Sequence, residues 1–112
     1  MKPTVDVVRQ TYELLLFVPV IKTWKLPGSN KIKFVVRADK DCYGWYEPNP
    51  DTIGVSTAKC SHIDTIIKTV GHEMIHLYLY KKHSKQWGDH EGIFKVLAER
   101  IANVLGYEPK DF

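Results

Sequence analysis

The segment at residues 72–76, which reads HEMIH, constrains this chain more than any other feature of its sequence. Apolar residues recur at helical spacing on both sides of it, which predicts a long helix ending near residue 82. In a helix, residues four apart lie on one face about one turn apart, so His72 and His76 can bind the same ion. Glu73 lies about 100° around the helix from His72, where it can reach a water beside the ion but cannot easily become a ligand. The segment therefore predicts a metal site with a general base next to it.

A catalytic zinc site needs a third protein ligand and an open position for water. His90 is the best candidate, because it falls on the same predicted helix face as Phe94, Leu97 and Ile101. A histidine on an apolar face needs a polar partner, and a metal ion held by the preceding helix would be such a partner. The pattern therefore favours His90 as the third ligand.

Three other residues compete for the third position. Glu91 lies near the predicted N-terminus of the C-terminal helix, where the helix dipole already favours an acid, so its presence needs no metal. Glu99 is the second candidate, but it lies about 180° around the predicted helix from His90, so the two cannot both face one ion. His83 lies about 10 Å along the helix axis from His76 if the helix continues that far, which is too far to share an ion. No Gly or Pro between these two histidines predicts an earlier break in the helix.

Around this helix, the pattern predicts an α+β fold in a single domain spanning residues 1–112. Apolar periodicity predicts an N-terminal helix at about residues 3–17. β-branched and aromatic residues then predict a small antiparallel three-stranded sheet. Its strands are expected at residues 31–37, 42–47 and 52–57, with a turn at 48–51.

The ends of the last two helices are also predicted. Ser61 and Asp64 have the spacing of a capping box, which predicts that Ser61 is the N-cap of the long helix. Asp89 is a good N-cap residue, so the C-terminal helix is expected to begin there and to end at Gly106. On this prediction the C-terminal helix carries the third ligand, His90, in its first turn.

The composition is that of a soluble globular protein, with 44% apolar and 26% charged residues among 112. A formal net charge of +3 permits contact with nucleic acid but does not require it. Cys42 and Cys60 are too few for a disulfide framework and form no Cys-x-x-Cys pair, so a zinc ribbon is excluded. No signal peptide and no membrane-spanning run is visible, so we expect reduced thiols and a cytoplasmic protein without membrane contact.

Gly71 and the HEMIH segment, followed by His90 and then Phe94, resemble the SprT-like zinc metalloprotease domain, which also occurs in the Spartan proteases. In that family, HExxH lies on a long helix, and the third histidine opens the next helix in an HGxxF-like element. Here Glu91 stands in place of the usual Gly of that element. The resemblance covers about residues 3–106.

The resemblance implies a minimal zincin-like domain in which Zn²⁺ is bound by His72, His76 and His90. It also implies Glu73 as the catalytic base and hydrolysis of peptide bonds, often in DNA-associated proteins. A protein or peptide substrate is therefore the expected partner, together with weak association with DNA. The oligomeric state stays open.

Two other functions fit the same residues. One is a non-catalytic zinc-organised module that binds nucleic acid or protein, in which Glu73 has no chemical role. The other is a metal-dependent amidase that acts on a non-protein substrate. If the chain is a peptidase, an exposed edge strand of the sheet is expected to pair with the extended substrate. The residue that stabilises the transition state is not identified by the pattern.

Overall fold

Helices and three strands form an α+β fold in the part of the chain that the structure describes, which confirms the predicted fold class. This structure, a computed structural model, describes residues 2–112, apart from the side chain of residue 111. The elements are α1 (Val5–Leu15), α2 (Pro19–Lys22), β1 (Lys33–Arg37), β2 (Gly44–Glu47), β3 (Thr52–Ser56), α3 (Ile63–Lys81) and α4 (Ile93–Leu105). Short 3₁₀ turns occur at Ser29–Lys31 and Pro109–Asp111. The sequence pattern does not predict α2.

The sheet is mixed, with strand order β1-β3-β2. β2 and β3 form the predicted antiparallel hairpin, in which Tyr46 pairs with Ile53. β1, however, pairs with β3 in parallel, with Phe34 opposite Ile53, so the prediction of a purely antiparallel sheet is wrong for this pair. Every residue of β3 is buried. A strand with no exposed position lies at the centre of a sheet, between two other strands. β1 therefore occupies the far edge of β3 and does not pair with β2.

α3 is the centre of the fold, since it packs against α1, α4, β2 and β3. It begins after His62, so the prediction of Ser61 as its N-cap is one residue too early. Its fully buried apolar residues are Ile66, Val70, Met74, Ile75 and Leu77. Packing on several sides holds the helix firmly, and with it the HEMIH segment. Neither α3 nor another helix within residues 2–112 is long and apolar enough to span a membrane.

α3 ends at Lys81 in a cap built on His83. The backbone of His83 is left-handed, with a φ of 60°, and its N–H donates to the carbonyl of Tyr80. The N–H of Ser84 donates to the carbonyl of Leu79. Together these bonds form a Schellman cap, in which Gly or Asn usually takes the left-handed position. The cap ends the helix and turns the chain back without a Gly or Pro.

α4 begins later than the sequence predicts. Its N-cap is Gly92, with a φ of 65°, and its first helical residue is Ile93, whereas Asp89 was the expected cap. A residue with positive φ cannot continue a helix, so Gly92 separates the preceding residues from α4. His90 therefore lies three residues ahead of α4 and not in its first turn. At the other end, Gly106 caps α4 in a left-handed conformation, as predicted.

Candidate metal centre

Three histidine side chains meet between α3 and the irregular segment that precedes α4. Nε2 of His90 lies 3.1 Å from Nε2 of His72 and 3.2 Å from Nε2 of His76. Nitrogen ligands at about 2.05 Å from a tetrahedral zinc ion would be about 3.3 Å apart. The spacing therefore fits one ion bound by three imidazoles. Within the described part of the chain, this is the one group of three or more potential ligands that can share a metal ion.

Main-chain oxygens face two of the three rings. Nδ1 of His76 lies 2.7 Å from the carbonyl oxygen of Trp87, and because a carbonyl can only accept, Nδ1 carries the proton. Nδ1 of His72 faces the main-chain oxygen of Phe112 at the longer distance of 3.5 Å. With Nδ1 as the donor, Nε2 of a neutral imidazole is a lone-pair acceptor. Two such lone pairs face Nε2 of His90, which can donate one proton at most, so the cluster has an excess of lone pairs that a cation would satisfy.

The ring of Phe94 packs against all three imidazoles. Its centroid lies 4.8 Å from that of His72, 4.7 Å from that of His76 and 5.1 Å from that of His90. Phe94 is buried, because it lies on the core-facing side of the first turn of α4. A rigid apolar neighbour of this kind limits ring rotation and excludes water from one side of the site. The four-residue spacing of His90 and Phe94 in the sequence therefore reflects direct packing between their rings.

Two of the histidines are held in the neutral form. Burial is the main cause that lowers the pKa of His72 to about 4, and the neighbouring His76 and His90 lower it further. Burial also lowers the pKa of His76, against the hydrogen bond to Trp87, which raises it. Neutral imidazole is the form that binds a metal ion. At pH 7 these two ligands therefore lose no proton when an ion binds.

The carboxyl group of Glu73 lines the same cleft as the three histidines. The residue is only 6% exposed, and burial raises its pKa to about 8. Its surroundings depend on Gly44 of β2, where a Cβ would lie 3.5 Å from Oε2 of Glu73 and 2.5 Å from Cγ2 of Thr69. β2 therefore approaches α3 closely at this point, and the strand encloses the Glu73 carboxyl group on one side.

A cleft of about 680 Å³ lies in front of the histidines and Glu73. β2 lines it with Gly44 and Tyr46, and Phe112 lines it from the C-terminal segment. α3 contributes the largest share of the lining, namely Thr65, Lys68, Thr69, His72, Glu73 and His76. Because the strand order is β1-β3-β2, the strand at this cleft is an edge strand of the sheet. A sheet edge, a buried carboxyl group and three convergent imidazoles thus surround one cavity.

The alternative ligands lie outside the cluster. His83 is exposed and forms the cap of α3. Glu99 is exposed on α4 and lines a second, smaller cavity of about 410 Å³ that also borders His72 and His90. Its carboxylate is not among the ligand atoms that converge. The structure therefore brings together the first-choice residues of the sequence prediction.

Several features of the site were not predicted from the sequence. Trp87 and Phe112 contact the histidines through main-chain oxygens, and the identity of a residue does not predict such contacts. The ring of Phe112 also lies over Gly71, where a Cβ would lie 2.6 Å from its Cζ. Gly44 did leave a signal, because a glycine inside a strand often marks a close approach of other groups.

Comparison with known proteins gives one match. The model of the SprT-like family matches residues 20–111, which include α3, the three histidines and the cleft. No curated protein and no solved structure matches the chain.

Proposed function

This chain belongs to the SprT-like family, and we propose that it is a zinc-dependent peptidase in which Glu73 is the catalytic base. Membership in the family supports a zincin-type metalloprotease-like domain. The observation that carries the proposal is the convergence of three Nε2 atoms beside one buried carboxyl group on a single cleft. A site that only stabilised the fold would have no need of an open cleft or of a carboxyl group that does not bind the ion.

His72, His76 and His90 would hold the zinc ion. Three imidazole nitrogens form a ligand set of catalytic zinc sites, in which the fourth position stays open for water. Bound zinc supplies a Lewis acid that lowers the pKa of a water molecule from about 15.7 toward 7 and polarises a carbonyl group. The carbonyl of Trp87 orients His76 and makes its Nε2 a stronger electron donor, which favours binding of the ion.

Glu73 moves the proton in the proposed reaction. It takes a proton from the attacking water as the water oxygen adds to the peptide carbonyl carbon, and it returns a proton to the leaving amine as the C–N bond breaks. Burial raises its pKa to about 8, and a nearby cation lowers the pKa again, toward the ionised form that a base requires. The carboxyl group lines the cleft, and β2 approaches it closely at Gly44.

β2 provides a surface on which an extended peptide can bind. It is an edge strand, and two of its residues, Gly44 and Tyr46, line the cleft. A peptide that adds to such an edge gains main-chain hydrogen bonds whatever its side chains are. The substrate is therefore a protein or peptide segment in extended conformation, and a folded substrate has to open locally before it binds.

Zinc content and hydrolysis, measured together, test this proposal. Purified wild-type protein and Glu73→Gln are analysed for zinc by mass spectrometry and then incubated with a mixture of unstructured peptides. We expect one zinc ion per chain in both proteins, and hydrolysis by Glu73→Gln that is slower by roughly 10²–10⁴-fold.

Each other outcome has a defined meaning. Full activity of Glu73→Gln would overturn the role of Glu73. Zinc binding without cleavage of any peptide would favour the non-catalytic zinc-organised module, and cleavage restricted to non-peptide amides would favour the amidase. Absence of zinc binding to either protein would remove the basis of the proposal.

A further inference from the structure

We propose that Lys68 forms a carboxylate-binding subsite in the cleft, so that the preferred peptide carries a carboxylate close to the bond that is cleaved. The identity of the ligand rests on the proposed peptidase function, whereas the position and charge of Lys68 do not. The carboxylate can belong to an Asp or Glu side chain or to the C-terminus of a peptide, and the experiment below separates these two sources.

Lys68 lies on the part of α3 that borders the cleft. It is four residues before His72, which places it about one helical turn, or roughly 6 Å, along the axis. Like His72 and Glu73, it lines the cleft of about 680 Å³. A peptide bound with its reacting bond at the histidines therefore passes close to Lys68.

Tyr107 holds the side chain of Lys68 in position. Nζ of Lys68 lies 4.8 Å from the centroid of the Tyr107 ring, within the range of a cation–π contact. The hydroxyl of Tyr107 donates to Oδ1 of Asp64 at 2.8 Å, which fixes the ring relative to α3. Because Lys68 is half-buried and already oriented, it loses less conformational entropy when it binds a ligand than a free surface lysine does.

Lys68 forms no direct ion pair with a described side-chain carboxylate. No carboxylate oxygen of the described side chains lies within 4.0 Å of its Nζ, and the ion pairs that are formed involve other residues. Among the described residues that line the cleft, Glu73 is the one with a side-chain carboxyl group. An oriented cation that borders a cleft without a direct ion pair attracts an anionic group, and in a peptide that group is a carboxylate.

The spacing also predicts where the carboxylate lies on the peptide. An extended chain advances about 3.3 Å per residue, so one helical turn corresponds to about two residues. The carboxylate is therefore expected within about two residues of the bond at the histidines. A free C-terminus at this position would make the enzyme act near chain ends, whereas an acidic side chain would allow it to act within a chain.

Binding without turnover tests the subsite. Zinc-loaded Glu73→Gln protein is titrated, by fluorescence anisotropy, with a neutral host peptide that carries one Glu or one Gln at successive positions. We expect Glu at one position to tighten the Kd about fivefold relative to Gln. Lys68→Gln in the same background is expected to abolish this difference. A second series compares a free C-terminal carboxylate with a C-terminal amide, which separates the two sources.

A matched control and a charge reversal accompany these variants. Lys82→Gln makes the same change at a lysine whose Nζ lies 5.8 Å from the Tyr78 ring but which is not part of the cleft lining, so it should keep the preference for Glu. Lys68→Glu should reverse the preference, from a Glu-containing to a Lys-containing peptide. Circular dichroism and zinc content verify that each variant is folded.

The outcomes separate this proposal from the peptidase function. Equal Kd values for the Glu and Gln peptides, a preference that survives Lys68→Gln, or no peptide binding at all would overturn the subsite. Carboxylate-dependent binding, without hydrolysis of any peptide by the wild-type protein, would retain the subsite and overturn the peptidase. Hydrolysis without any carboxylate preference would retain the peptidase and overturn the subsite.

Discussion

Nδ1 of His76 lies 2.7 Å from the carbonyl oxygen of Trp87, a residue in the irregular segment that also carries His90. This segment therefore supplies one candidate ligand and orients another. The rest of the cluster belongs to α3, which is fixed by the core. The candidate metal centre is thus made of one rigid helix and one irregular connection between helices.

Removal of His90 should weaken zinc binding with little effect on the metal-free fold. Loss of a group that only orients a ligand costs about 10–100-fold in metal affinity, so we expect His90→Ala to lose at least about 100-fold. His90 is exposed, so the free energy of unfolding of the metal-free protein should be nearly unchanged. Competition with a zinc chelator measures the affinity, and urea denaturation measures the stability.

The alternative ligands serve as controls for this prediction. His83→Ala and Glu99→Ala should bind zinc as the wild-type protein does. A loss of affinity in Glu99→Ala, together with full affinity in His90→Ala, would move the third ligand to α4.

Truncation of Phe94 should reduce both stability and zinc affinity. Phe94 is 4% exposed, and removal of a buried phenyl ring costs about 3–5 kcal/mol. Because the ring packs against all three imidazoles, Phe94→Ala should also leave them less ordered. Leu97→Ala is the matched control, since Leu97 is equally buried on the same helix at 4% exposed. If both variants bind zinc equally well, Phe94 has no specific role at the site.

Addition of one methyl group at Gly44 should destabilise the protein. The new Cβ would lie 2.5 Å from Cγ2 of Thr69 and 2.6 Å from the carbonyl oxygen of Gly54, so β2 has to move away from α3. We expect Gly44→Ala to lower the free energy of unfolding by about 1–3 kcal/mol. Thr69→Ser in the same chain removes Cγ2 and should restore part of this loss, but not the part that comes from Gly54. Full stability of Gly44→Ala in thermal denaturation would contradict the close approach.

The stability of the metal-free protein should depend on pH through Glu73. The pKa of Glu73 rises from 4.5 to about 8 because of burial, so between these values the folded state binds more protons than the unfolded state. The free energy of unfolding therefore falls as the pH rises from about 4.5 to 8. Glu73→Gln has no carboxyl group to lose a proton, so its free energy of unfolding does not fall in this way. One pKa unit corresponds to about 1.4 kcal/mol, so at pH 8 the variant should be more stable than the wild-type protein by up to a few kcal/mol. At pH 4 this difference should disappear.

Urea denaturation of both metal-free proteins across this range checks the sign. The lowered pKa values of His72 and His76 act in the opposite direction below pH 6.5, where stability is lost as the pH falls. Both proteins contain these histidines, so this contribution largely cancels in the comparison. A stability difference that is the same at pH 4 and pH 8 would show that Glu73 does not titrate as its burial requires.

The central helix was predictable because its signal is local. Most of the apolar residues that give α3 its periodicity are buried against its neighbours, so period and structure agree. The sheet topology was not predictable in the same way, because the parallel pairing of Phe34 with Ile53 joins residues far apart in the chain. Which strand lies in the middle depends on complete burial of β3, which appears only after α3 has packed on the sheet.

The candidate site was predicted more accurately than its geometry. His90 was chosen because it shares a helical phase with Phe94, yet Gly92 breaks the helix between them. The choice still leads to the cluster because Phe94 packs against His90 directly, with ring centroids 5.1 Å apart. The cap at His83 was missed for a related reason, since a left-handed histidine is uncommon and has no signature in the sequence.

The irregular connection between α3 and α4 also determines how an ion would leave the site. Because His90 and the carbonyl of Trp87 lie on the same short segment, one local unfolding event would release a ligand and the partner of a second ligand together. Binding of zinc would therefore be coupled to folding of this segment, and local opening of the segment would set the residence time of the ion. Amide hydrogen exchange across residues 84–92 should slow when zinc is added, and an unchanged rate would show that the segment is fully ordered without the ion.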